Sequence, residues 1–209
     1  MKILVTGFDP FGGQSVNPAY EAVRLLPDQI GTAAIIKAQI PTIFGQGADL
    51  LAQLMDAHKP NAVLLVGQAG GRSAISVERI AINVRDASIA DNAGAQPVDQ
   101  PVVPDGPAAY FATIPVKQII RKVQDAGIPC RISDSAGTFV CNDLMYRMLH
   151  HIDVRHLPAI GGFIHVPYLP QQAASLPGQV PSMSLEMIVQ ALHLALEEIL
   201  ASFDTLPIL

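Results

Sequence analysis

The sequence predicts a single α/β domain, a three-layer α/β/α sandwich around a largely parallel, mixed sheet. Three observations carry that expectation. Short apolar runs of strand type alternate along the chain with segments whose apolar residues recur at helical spacing. Glycine-rich loops follow two of the strand runs, at residues 7–13 and 67–72, where a parallel sheet would hand its strands over to helices. The chain of 209 residues, half of them hydrophobic and 15% charged, is long enough to bury one sizeable core. No internal repeat or second-domain boundary interrupts the pattern, so residues 1–209 read as one domain.

In chain order, residues 2–6 (Lys-Ile-Leu-Val-Thr) form a buried strand. Asn17-Pro18 starts a helix, with a cap followed by proline at the first helical position, and the helix runs to about Leu26. Residues 33–40 are a second strand. A helix carrying Leu50, Leu51, Leu54 and Met55 follows, and residues 61–66 make a central strand. Residues 76–85 read as one further strand whose alternation puts Glu78, Ile80, Ile82 and Val84 on one face. Residues 86–107 are polar and rich in Pro and Gly, a loop long enough to suggest function. Val116, Ile119, Ile120 and Val123 mark a helix stopped by Gly127-Ile128-Pro129. Residues 130–133 are a strand. A turn with Gly137 then enters a helix lasting to about His151, capped by Ser135 or Thr138. Residues 159–166 are the last core strand, residues 167–181 a Pro-rich loop, and a long helix from Ser182 or Ser184 to Phe203 closes the fold.

The net charge of -5, with no Lys/Arg cluster, argues against a nucleic-acid partner. Two cysteines, Cys130 and Cys141, exclude a disulfide scaffold and favour a reducing, cytoplasmic setting. The chain opens directly in a strand, so no signal peptide is expected. The most apolar helix is interrupted by Gln190, His193, Glu197 and Glu198, which makes it no membrane span. Low charge with many apolar residues hints at an oligomer.

Three side chains stand out chemically. Cys141 falls in the first turn of its helix, where unpaired N–H groups and the positive end of the helix dipole favour a thiolate. His165 ends an apolar strand, and Glu78 heads a row of aliphatics, where a carboxylate needs a partner. Each has a plain structural reading as well: a small buried thiol, a satisfied core histidine, a paired carboxylate. Together they supply what nucleophilic catalysis requires. Cys141 would attack, His165 would hold and return the proton, and Glu78 would orient the imidazole. No Cys/His pair has metal-ligand spacing, so no metal site is expected. In a parallel sheet the ligand site lies beyond the carboxyl ends of the strands, which would gather residues 8–13, 68–72, Cys141 and His165.

The chain resembles the pyroglutamyl peptidase (pyrrolidone-carboxylate peptidase) family of cysteine peptidases. The likeness runs through Thr6-Gly7-Phe8-Asp9-Pro10-Phe11-Gly12-Gly13, Asn17-Pro18, and Val66-Gly67-Gln68-Ala69-Gly70-Gly71-Arg72. It continues through Glu78-Arg79-Ile80-Ala81-Ile82-Asn83, Asp91-Asn92 and Gln96-Pro97, and through Gly106-Pro107-Ala108-Ala109-Tyr110. Ala136-Gly137-Thr138-Phe139-Val140-Cys141-Asn142 and Gly161-Gly162-Phe163-Ile164-His165-Val166-Pro167 complete it, covering nearly the whole chain. The resemblance implies a phosphorylase/hydrolase-like fold, a catalytic triad of Glu78, Cys141 and His165, and removal of N-terminal pyroglutamate from peptides through a thioester. It implies an aromatic pocket at Phe8, Phe11 and Phe139, although each could be ordinary core. Gln68 and the backbone around Val140 would bond the lactam, and Asn17 would cap a helix and hold the first loop. No cofactor is implied; a homotetramer is. One departure is Ser88, where many relatives carry arginine. Two rival classes remain: a nucleoside- or phosphate-handling α/β enzyme using its glycine loops as anion cradles, though neither loop has phosphate-loop spacing, and a non-catalytic binding protein of the same fold.

Overall fold

The computed structural model describes residues 1–205. Its strands are β1 (Lys2–Phe8), β2 (Gln29–Ile30), β3 (Ala33–Ile40), β4 (Ala62–Gln68), β5 (Ile75–Glu78), β6 (Ile80–Ile82), β7 (Ala109–Phe111), β8 (Cys130–Ser133) and β9 (Ile160–Val166). Its helices are α1 (Pro18–Leu25), α2 (Gln46–His58), α3 (Val116–Asp125), α4 (Val140–Val154), α5 (Pro170–Ser175) and α6 (Leu185–Thr205). Seven strands make one sheet in the order β2-β3-β1-β4-β9-β5-β8, and β6 pairs with β7 apart from it. Strands β3, β1, β4 and β9 run parallel. β5 and β8 are parallel to each other and antiparallel to β9.

Alternation along each strand splits the core into two layers. Ile3, Val5, Leu64, Val66 and Ile164 face α1, α3 and α6 through Ala19, Val23, Ile119, Ile188 and Leu192. Leu4, Phe8, Val63, Leu65 and Phe163 face α2 and α4 through Leu51, Met55, Val140, Leu144 and Met145. The sheet is therefore covered on both sides, as the three-layer reading expects. Among the described residues no helix is long and apolar enough to cross a membrane.

Four expectations need correction. The strand expected over residues 76–85 breaks at Arg79, whose N–H bonds Ser133 O and whose carbonyl accepts from Ala112 N. That kink ends pairing with the main sheet and starts pairing with β7. It also undoes the expected row, because Ala81 turns inward while Ile80 and Ile82 stay half-exposed. Neither Ser135 nor Thr138 caps α4: Phe139 occupies the cap position, the Ser135 hydroxyl accepts from Gly137 N, and Thr138 Oγ1 donates to Asp86 O. The Pro-rich stretch after β9 contains the short helix α5. The two short strands β2 and β7 complete what periodicity did not register. Asn17 and Ser184 do cap their helices, accepting from Ala19 N at 3.0 Å and Met187 N at 3.3 Å.

Candidate active site

The parallel strands β1, β4 and β9 end at one rim, and the first turn of α4 sits over it. Residues 63, 65 and 67 of β4 point toward α4. Gly67 is what lets the helix approach: a Cβ there would lie 2.7 Å from Phe163 Cζ and 3.1 Å from Cys141 Sγ. In the β4–β9 register Gly67 is the partner of His165, so the sulfur rests on the strand pair that carries the imidazole. His165 is 4% exposed, and its Nδ1 lies 2.7 Å from Oε1 of Glu78, which is wholly buried. The Phe163 ring packs 4.6 Å from the imidazole.

Glu78 comes from β5, which runs against β9. It is paired in register with Phe163, whereas Ser76 is the partner of His165. The carboxylate thus reaches the imidazole from below the rim. A second donor meets the same oxygen: Arg72 Nη1 lies 2.7 Å from Glu78 Oε1. Burial tends to raise the Glu78 pKa, but the interaction with His165, followed by the smaller contributions of Ser133 and Arg72, outweighs it and holds the carboxyl below its usual range. Glu78 is accordingly an anion that only accepts, which puts the proton on His165 Nδ1 and leaves Nε2 as the basic nitrogen. Burial pushes the imidazole pKa down against the pull of Glu78, so the ring rests neutral.

The thiol departs from expectation. Burial pushes Cys141 up to about 12, and the charge of Glu78 adds to the rise, while Arg72 and the cysteine's own N–H act the other way. Desolvation exceeds the helix-start effect, and the resting sulfur holds its proton. The first-turn N–H groups of α4 stay without helical partners, the first intrahelical bond being Asp143 N to Phe139 O at 3.1 Å.

The other expected site residues divide. Phe11 and Phe139 are half-buried with ring centroids 6.3 Å apart. Phe44, which no motif marks, stands edge-on to Phe139 at 5.3 Å and completes an aromatic wall. Phe8 is instead core, 2% exposed and packed on Phe163. The Val140 side chain is also core, so its backbone alone is available. Gln68 follows Val66 onto the opposite face of β4, where its Oε1 accepts from Gln172 Nε2 at 2.9 Å; its backbone, not its amide, borders the rim. Asn17 serves both expected purposes, capping α1 and donating to Asp9 O at 2.8 Å.

Two neighbours to which the sequence reading gave no role hold the helix start. Asn142 accepts from Ile82 N and donates to Ile82 O and Val84 O, fastening α4 to the chain after β5. Asp143 is buried against Arg85, which also lies over Phe44. Arg85 is thereby engaged away from the exposed Ser88. The 86–107 loop is ordered by Asp91, which accepts from Phe44 N, Ala93 N and Ala95 N, and by Asn92, which donates to Pro10 O. Among the described residues no group of three His, Cys, Asp or Glu side chains is placed to hold a metal ion.

Fold and site define a class: α/β enzymes with a cysteine at a helix start beside a carboxylate-bound histidine. The comparisons narrow it. A family model for pyroglutamyl peptidase matches residues 1–202. The pyrrolidone-carboxylate peptidase of Treponema denticola is 52% identical over 202 residues, spanning 95% of this chain and 93% of its own. Pyroglutamyl peptidase I from Bacillus amyloliquefaciens superposes with a TM-score of 0.92 at 46% identity, covering 96% of this chain and 97% of that one. A mutant pyrrolidone carboxyl peptidase from Pyrococcus furiosus gives 0.94 at 45% identity, covering 97% and 100%. The chain belongs to the pyroglutamyl peptidase family.

Proposed function

We propose that this enzyme removes an N-terminal pyroglutamyl residue from peptides, with Cys141 as nucleophile, His165 as general base and acid, and Glu78 as the group that orients the ring. The observation that carries this reading is the buried Glu78–His165 bond lying beneath the sulfur at the start of α4. Because thiol and imidazole both rest neutral, the sulfur's proton passes to His165 Nε2 as Sγ bonds the carbonyl carbon. The oxyanion is met by first-turn N–H groups of α4. His165 then gives its proton to the leaving amine as the C–N bond breaks, leaving a thioester. Water attacks the thioester, its proton passing to His165. The C–S bond then breaks, and the imidazolium returns its proton to the sulfur as pyroglutamate leaves.

The lactam is flat and uncharged, which suits a wall of Phe11, Phe44 and Phe139. Backbone groups of Gln68 and Val140 are the proposed polar partners, and Asn17 supports the loop carrying Phe11. A charged free N-terminus would lose its hydration against such a wall. We read residues 1–209 as one peptidase domain, active as a cytoplasmic homotetramer. Two free cysteines support the compartment, and the exposed Leu25 and Met187 beside the α1–α6 groove support an assembly. Release of a fluorogenic amine from a pyroglutamyl amide tests the activity. Turnover that survives Cys141→Ser would overturn it, and a monomeric mass by light scattering would overturn the tetramer.

A further inference from the structure

We propose that Arg72 is a positioning residue for this reaction: seated on Glu78 Oε1 beside the imidazole, its guanidinium keeps the carboxylate ionised and balances the charge of the site throughout the chemistry. The proposal rests on the roles given above to Glu78, Cys141 and His165.

A carboxylate with no solvent exposure takes up a proton unless a positive group faces it. His165 supplies the strongest hydrogen bond to that carboxylate, but as a resting neutral ring it brings no full positive charge. Arg72 does. Its Nη1 lies 2.7 Å from Glu78 Oε1, the side chain is only 26% exposed, and it reaches Ser133 Oγ at 3.5 Å and Ser135 O at 3.4 Å. Gly71, at φ +82°, turns the loop so that Arg72 points back under the rim. Other charges nearby are committed elsewhere: Asp134 is turned outward and paired with Arg79, and Asp143 of α4 is paired with Arg85. The groups facing one another are therefore Glu78 from β5, His165 from β9, Cys141 from α4 and Arg72 from the glycine loop.

Counting charge shows what Arg72 does. At rest the carboxylate and guanidinium cancel, and thiol and ring are neutral. After attack the oxyanion and imidazolium cancel as well. Without Arg72, Glu78 either keeps its charge, so that the resting site is net negative and opposes a second negative charge on the oxyanion, or takes up a proton and ceases to be the anionic acceptor that orients His165. The same positive charge favours proton loss from both the thiol and the imidazolium.

The test compares wild type, Arg72→Gln and Arg72→Lys, with Arg72→Met replacing the glutamine variant if that one does not fold. Rate–pH profiles are recorded on a fluorogenic pyroglutamyl amide. The pH dependence of iodoacetamide alkylation is read at the Cys141 peptide by mass spectrometry. The neutral variant should lose roughly 10- to 100-fold in kcat/KM, the size of one charge-assisted hydrogen bond, with kcat falling more than KM changes. Both limbs of its profile, and its alkylation curve, should move to higher pH, whereas Arg72→Lys leaves them near the wild-type positions. A folded neutral variant with unmoved limbs overturns the proposal, as does a lysine variant that shifts as far as the neutral one. Loss of folding in both neutral variants assigns Arg72 to structure alone and also overturns it. Failure of the wild type to release amine would instead count against the peptidase reading, and the alkylation curves would still decide the role of Arg72.

Discussion

Gly67→Ala is the most exacting single perturbation of this site. Gly67 is not in a glycine-only backbone conformation, so the methyl acts through contacts alone. It would stand 2.7 Å and 3.0 Å from two carbons of the Phe163 ring and 3.1 Å from Cys141 Sγ. Carbon pairs pack at about 3.5–4.0 Å, so the encroachment is roughly 1 Å. Phe163 is fully buried and wedged between Phe8 and His165, and it has little room to retreat. Overpacking of this kind costs about 1–3 kcal/mol, or a fall in Tm of roughly 2–4 °C per kcal/mol for a chain of this size. If the sulfur yields as well, a displacement approaching 1 Å at a reacting atom costs about 100-fold in rate. Thermal melts and kcat on a pyroglutamyl amide read the two effects separately. A variant with unchanged Tm and unchanged kcat would refute the claim that α4 approaches the sheet only because residue 67 lacks a side chain.

Other perturbations address single links. Cys141→Ser and His165→Ala should abolish turnover nearly completely, and Glu78→Gln should leave a larger remainder, with a loss of up to about 10⁴-fold, because an amide can hold the ring in the wrong tautomer; equal loss in all three would remove Glu78 from its orienting role. Asn142→Ala strips three bonds to the Ile82–Val84 backbone and should cost about 1–3 kcal/mol in urea unfolding, with no loss if that fastening is incidental. Burial raises the Cys130 thiol from its ordinary value of 9.0 to about 12. Its proton is thus held more tightly in the folded state, so the stability it contributes is complete below pH 9 and declines as pH rises toward 12. Unfolding free energy should fall in that window by up to about 1.4 kcal/mol per pH unit for this thiol, and Cys130→Ser should flatten the slope; an unchanged slope would contradict the assignment.

Sequence reading located the elements whose ends carry strong punctuation. The strand at 33–40 follows Gly31 and ends before Pro41, and the strand at 130–133 follows Pro129; both match the structure. It failed where a tertiary contact overrides the local pattern, as at Arg79. The trio proposed as catalytic stood out in the sequence because each member is chemically out of place among its apolar neighbours. Arg72 was not, because an arginine closing a glycine loop looks like any solvated charge until Glu78 is seen beneath it. Phe44 belongs to no motif and enters the site only because α2 starts there. For Gln68 the sequence did not show which of its groups would border the rim. Gly67 before it has no side chain to reveal which face of β4 points at the helix, and the amide turned out to lie on the other one.

The direction of β5 was equally hidden in the sequence, and it decides the character of the site. Were β5 parallel to β9, its last residue would emerge at the same rim as His165, nearer to solvent than Glu78 lies now. Running the other way, it sets Glu78 opposite Phe163, two positions below the rim, with the aromatic ring beside the imidazole. Water therefore does not compete for His165 Nδ1, and the 2.7 Å bond acts in a medium of low polarisability where it is stronger. The same burial makes a bare carboxylate untenable, which is why a cation has to follow it inward. A mixed sheet, a sealed carboxylate and an inward-pointing arginine are thus successive consequences of one strand reversal.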